Sequence, residues 1–171
     1  MKTIDYYFSP ASPWTYLGHQ RLAEIATRHG ASIRVMPVDL GGKIFPGSGG
    51  VPVAQRAPQR QAYRLVELRR WANHLGLPLN LQPRHFPTPG HDAARLIILA
   101  DQQVGAEAAM KLGLEIMRGL WAEDRDIADA ATLAAVADHC GLAGAQLVTD
   151  LAAADARYAE NTRQAVEAQV F

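Results

Sequence analysis

The run from Thr3 to Val38 leaves few folds open. A β-prone segment, Thr3 to Phe8 (TIDYYF), leads into SPASP and then into a helix-like run from Pro13 to His29 that stops at Gly30. Trp14, Leu17, Gly18, Leu22, Ile25 and Ala26 recur at helical spacing and are expected to form its buried face. Ile33, Val35 and Val38 in SIRVMPVD then alternate as a second short strand. Two short strands joined through one helix must run parallel, with a right-handed crossover.

The rest of the chain reads as mostly helical. Leu40 to Pro52 (LGGKIFPGSGGVP) is rich in Gly and Pro and is expected to hold no regular structure. Helices are expected over Pro58–Leu75, from His91 or Asp92 (either a candidate cap) to about Val104, over Ala106–Trp121 and over Asp129–Cys140. One or two more fall between Leu147 and Gln169. Leu77–Gly90 is a Pro-punctuated loop. A parallel pair of strands is small for a stable sheet, so either further strands lie unrecognised in this sequence or something after Phe171 completes it.

Of the 171 residues, 49% are hydrophobic, enough for a core. The 17 basic and 17 acidic side chains balance, which gives no support to nucleic acid or an anionic membrane as partner. The one cysteine, Cys140, excludes an internal disulfide, and no Cys/His spacing resembles a metal site. MKTIDYYF lacks the pattern of a signal peptide, and no apolar run approaches the ~18–20 residues that span a bilayer. A cytoplasmic setting is the expectation.

Pro13 suits the first helical position and Ser12 the cap before it. Ser12 can be a cap and nothing else. The same geometry also presents free N–H groups and the positive end of the helix dipole, which favour an anion. A hydroxyl there can donate to a thiolate and so lower a thiol's pKa. Redox proteins with this β-α-β opening carry C-x-x-C where this chain has Ser12-Pro13-Trp14-Thr15, so exchange through its own thiols is excluded and a borrowed thiol remains open.

DYYFSPASPWTYLGHQRL resembles the opening of the 2-hydroxychromene-2-carboxylate isomerases, relatives of kappa-class glutathione transferases within the DsbA-like thioredoxin branch. PVDLGG at Pro37 to Gly42, RLVELRRWANHLGLPL at Arg64 to Leu79, PRHFP at Pro83 to Pro87 and LWAEDRDIAD at Leu120 to Asp129 agree in the same order. The resemblance implies an α/β fold: a thioredoxin-like domain (1–39 and 148–171) interrupted by a large all-helical insertion (40–147). It implies glutathione as cofactor, held by Ser12, Pro13, Trp14 and Arg60, with Ser12 the catalytic residue and no metal. The implied reaction converts 2-hydroxychromene-2-carboxylate, or a similar aromatic ring-fission product, to trans-o-hydroxybenzylidenepyruvate, a step in bacterial breakdown of naphthalene and related arenes. Asp39, Leu40, Ser48, Gly50, His85 and Phe86 are the implied contacts to a small aromatic carboxylate substrate. A homodimer is implied too.

The chain departs from the family twice. Members near the naphthalene pathway carry Asn in the glycine-rich loop, where this chain has Ser48 to Gly50; that contact is absent or comes from Ser48. The family also continues into G-x-P-T with a cis-proline, two strands and a helix. This sequence ends at Phe171, so that part of the sheet is expected to be missing. Other side chains keep two readings. Arg56, Arg60 and Arg64 are a solvated stripe, or Arg60 meets a carboxylate. Phe86 lines a pocket or packs, and Trp14 sits by the sulfur or in the core. Trp71 and Trp121 read as core, His74 and His139 as complements to helix C-termini, and Cys140 as a small buried hydrophobe. Two rival functions stay open: a kappa-like transferase, which would consume glutathione in an adduct, and a thioredoxin-fold binding or chaperone-like protein, which would not need Ser12.

Overall fold

A computed structural model describes residues 2–171. Strand β1 (Lys2–Phe8), helix α1 (Pro13–Arg28) and strand β2 (Ala31–Pro37) form the expected β-α-β unit. The strands pair in parallel from Lys2 opposite Ala31 to Phe8 opposite Pro37, and they form a two-stranded sheet among the described residues. Gly30, at φ +60°, takes the left-handed turn that separates α1 from β2.

The buried face of α1 differs from the sequence expectation. Trp14 is 41% exposed and Ile25 is also exposed, whereas Pro13, Tyr16, Leu17, His19 and Ala26 face inward. A buried histidine, held by hydrogen bonds at both ring nitrogens, shifts the stripe by about half a turn from the one apolar periodicity marks.

The glycine-rich segment is also more ordered than its composition implies. A π-helical turn (Leu40–Ile44), the short helix α2 (Phe45–Ser48) and a 3₁₀ turn (Val53–Gln55) occupy it. The Asp39 carboxylate accepts from the Gly42 amide at 2.8 Å and seeds the first turn. A Cβ on Gly42 would fall 2.5 Å from Asp39 Oδ2, so a side chain there would displace the carboxylate that closes the turn.

Helix α3 spans Pro58–Leu75 and ends at Gly76, φ +66°. Its buried stripe is Arg64, Leu68 and Ala72. Trp71 lies off that stripe, 45% exposed, with its ring edge-on to His74 at 5.7 Å, so it is not core. The arginine stripe is not uniformly solvated either, because Arg64 is buried. Helix α4 runs from His91 to Gln103 with Gly90, not His91 or Asp92, at its cap; Asp92 pairs with Arg95 instead, at 2.9 Å.

Helices α5 (Ala106–Glu123), α6 (Ala130–His139), α7 (Gly144–Thr149) and α8 (Asp155–Glu167) complete the chain, with a 3₁₀ turn at Leu151–Ala154. One apolar cluster joins Phe8, Leu17 and Val35 of the β-α-β unit to Leu96 and Ile97 of α4 and to Leu112, Ile116 and Trp121 of α5. A smaller cluster of Val38, Ile44 and Ala165 seats α8 against the end of β2. There the Asp39 amide donates to Thr162 Oγ1 at 3.0 Å, and Asn161 Nδ2 donates to the Pro37 carbonyl at 3.3 Å. No described helix is long and apolar enough to cross a membrane.

Candidate active site

The turn between β1 and α1 is built around Ser12. Its amide donates to the Ser9 carbonyl at 3.0 Å, which closes the turn, and its own carbonyl accepts from Tyr16 at 3.1 Å, which starts the helix. Its backbone is extended, φ −85° and ψ 126°, as a cap requires. Ser12 Oγ accepts from the Thr15 amide at 3.3 Å, a long bond, so the hydroxyl hydrogen stays available to an outside acceptor. Ser12 is half-buried and Pro13 buried. Gly90, just before α4, packs on the same turn; a Cβ there would meet Ala11 Cβ at 3.5 Å.

Trp14, in the first turn of α1, forms one wall of a cleft of about 560 Å³ against α3. Val51 and Tyr63 supply further apolar wall, and Arg56, Arg60, Arg64 and Glu67 the charge. Three guanidinium groups face one carboxylate, so the cleft favours an anion. Arg56 Nε donates to the Val51 carbonyl at 2.7 Å, and Arg60 is exposed. The Arg64 guanidinium lies 5.3 Å from the Phe86 ring centre and 5.9 Å from that of Trp121, within cation–π range of both. Burial, and then the neighbouring charge of Arg56, hold the Arg64 pKa below the usual guanidinium value.

The DSBA-like thioredoxin domain model matches residues 3–171, nearly the whole chain. The chain belongs to that family. A 2-hydroxychromene-2-carboxylate isomerase from Pseudomonas putida is 30% identical over 172 residues, covering 98% of this chain and 81% of the relative. Glutathione S-transferase kappa 1 of Caenorhabditis elegans is 25% identical over 179 residues, 98% of this chain and 76% of the relative. A solved 2-hydroxychromene-2-carboxylate isomerase superposes with a TM-score of 0.79 at 29% identity, covering 99% of this chain and 81% of that one.

Within this DsbA-like frame, the residues singled out from sequence separate into two groups. Trp14 and Arg60 line the cleft, and Ser12 and Pro13 lie in the turn that carries Trp14. Asp39, Leu40, Ser48, Gly50, His85 and Phe86 do not line it. Asp39 caps its own turn, and Leu40 packs on the small cluster by α8. Ser48 is exposed, and Gly50 lies against the Phe45 ring. His85 Nδ1 is 3.6 Å from Asp126 Oδ2. Phe86 packs on Trp121, ring centres 4.9 Å apart, and reaches the cleft only through Arg64.

The sequence did not mark the polar pair that anchors α1 to the helical part of this DsbA-like chain. His19, 2% exposed, has Nδ1 3.0 Å from the Tyr6 hydroxyl and Nε2 2.9 Å from the Met110 carbonyl. A carbonyl only accepts, so Nε2 carries the hydrogen; burial favours the neutral ring, in which Nδ1 accepts from the Tyr6 hydroxyl. Burial lowers the His19 pKa and raises that of Tyr6. Met110 is distant in sequence, and no local pattern points to it. Cys140 packs half-buried at the core edge, and burial pushes its thiol pKa up, away from a reactive thiolate. Among the described residues no group of three His, Cys, Asp or Glu is placed to hold a metal ion.

Proposed function

We propose that the chain catalyses glutathione-dependent cis-trans isomerisation of 2-hydroxychromene-2-carboxylate or a similar aromatic ring-fission product. The observation that carries this is Ser12, a hydroxyl cap with a free hydrogen at the start of α1, one turn from a cleft with surplus positive charge. The named activities of the isomerase and kappa transferase relatives support it.

The residues fit glutathione, a peptide anion with a thiol. The turn carries no cysteine that would compete for the sulfur, and Arg60 and Arg56 suit its carboxylates. Glutathione, when bound, supplies a nucleophilic thiol that is regenerated at the end of the isomerisation. Ser12 donates its hydroxyl hydrogen to the sulfur anion and so favours the charged form. The first-turn amide of Trp14 has no intrahelical acceptor and points its dipole the same way. Pro13 fixes the backbone at the first helical position. The indole of Trp14 forms one wall of the cleft.

The test is turnover of 2-hydroxychromene-2-carboxylate with glutathione far below the substrate concentration. Conversion to the trans product with glutathione unconsumed is expected. A stoichiometric glutathione adduct would instead establish the kappa-like transferase reading. No reaction of either kind would leave the binding-protein reading.

A further inference from the structure

Arg64 combines charge and burial in a way no contact within the protein balances. It is 8% exposed, on the stripe of α3 that also buries Leu68 and Ala72. Among the described residues it has no hydrogen-bond acceptor and no carboxylate partner; the aromatic faces of Phe86 and Trp121 lie beside it, and Arg56 repels it. The Arg64 stem is buried, and its guanidinium nitrogens are not among the buried atoms left without a partner, so the cleft supplies water where the protein supplies no acceptor. Arg64 lines the cleft, so the cleft is the route by which a partner anion reaches it.

The geometry points to Arg64 as a carboxylate anchor, in a cleft that takes planar aromatic carboxylates. A guanidinium fork meets a carboxylate with two parallel hydrogen bonds, and the Phe86 and Trp121 rings lie within cation–π range of it. Trp14 and Tyr63 on the walls offer faces to an aromatic ring. Arg60, which is exposed, remains for the carboxylates of glutathione. This inference rests on the cleft being the substrate side of the site proposed above, and it adds the residue that selects the substrate.

The test is calorimetric titration without glutathione. 2-Hydroxycinnamate and its uncharged carboxamide are titrated into the wild-type chain, Arg64→Met and Arg64→Lys, and S-methylglutathione is titrated separately to report on peptide carboxylates. Wild type is expected to bind the acid at least ~10-fold tighter than the amide. Arg64→Met is expected to lose that preference, to bind S-methylglutathione as wild type does, and to unfold at a urea concentration close to that of wild type, because the Met side chain keeps the buried packing of the Arg64 stem. Should Arg64→Met fail to fold, Arg64→Lys carries the test, with a severalfold smaller preference expected from loss of the fork. No preference in wild type, an unchanged preference in both variants, or an effect confined to S-methylglutathione overturns the anchor. No titration uses a thiolate, so the two proposals fail separately. Arg64-dependent acid binding without turnover keeps the anchor and removes the reaction; turnover with Arg64-independent binding does the reverse.

Discussion

The Ser12 oxygen accepts a hydrogen bond from Thr15 and keeps its own hydrogen to give. Two substitutions separate these roles. Ser12→Ala loses both, and is expected to destabilise the fold by about 1 kcal/mol as well as abolish thiolate stabilisation. Ser12→Gly keeps a tolerable cap, costs only a few tenths of a kcal/mol and still abolishes the thiolate. Urea unfolding beside activity would show the split, and Ser12→Gly with full activity would make Ser12 a cap alone. His19 gives a pH signature. Its folded pKa lies below the ordinary value of about 6.5, so below that pH the unfolded chain binds a proton that the folded chain does not. The His19 contribution is therefore complete above about pH 6.5 and declines as pH falls, by at most ~1.4 kcal/mol per pH unit. His19→Gln, which cannot titrate, is expected to flatten the stability curve between pH 7 and 5. An unchanged slope would show that His19 is free to protonate in the fold.

Elements were legible where the chain is punctuated. Pro58 and Gly76 fix α3 from either end, and Asp129 caps α6 through the Thr132 amide at 2.8 Å. The segment after β2 was illegible because Asp39 closes its turn through one side chain, which composition does not reveal. Faces were harder than bounds. Apolar spacing put Trp71 inside, whereas the structure buries His19 and Arg64, whose partners come from distant segments. Helix packing gives a prediction that sequence would not. Gly144 lies so close to the Ala134 carbonyl that a Cβ would collide with backbone. Gly144→Ala is therefore expected to lower stability by roughly 1–3 kcal/mol as α7 is forced off α6, measured by urea unfolding. A neutral result would mean that the two helices part without cost.

At the scale of the whole molecule, one core runs through the β-α-β unit and the helices that follow it, and α8 returns to close the end of β2. Thr162 is the clasp: its hydroxyl accepts from the Asp39 amide at 3.0 Å and donates to the Tyr158 carbonyl at 2.9 Å. Thr162→Val keeps the shape and strands that amide, with an expected loss of ~1–3 kcal/mol; an unchanged unfolding midpoint would show that water satisfies it. The β-α-β order and the Ser12 turn were readable because both are local. The cleft was not, because it assembles α1, the Val51 loop and α3, and its deepest charge rests on rings from two other segments. The central claim is that the start of α1 holds a glutathione thiolate. Its most direct test is the near-ultraviolet thiolate absorbance when glutathione is added at neutral pH, to the wild-type chain and to Ser12→Gly. A band in the wild type that disappears in the variant is the expected result. No band in the wild type, or an equal band in both, would contradict the claim.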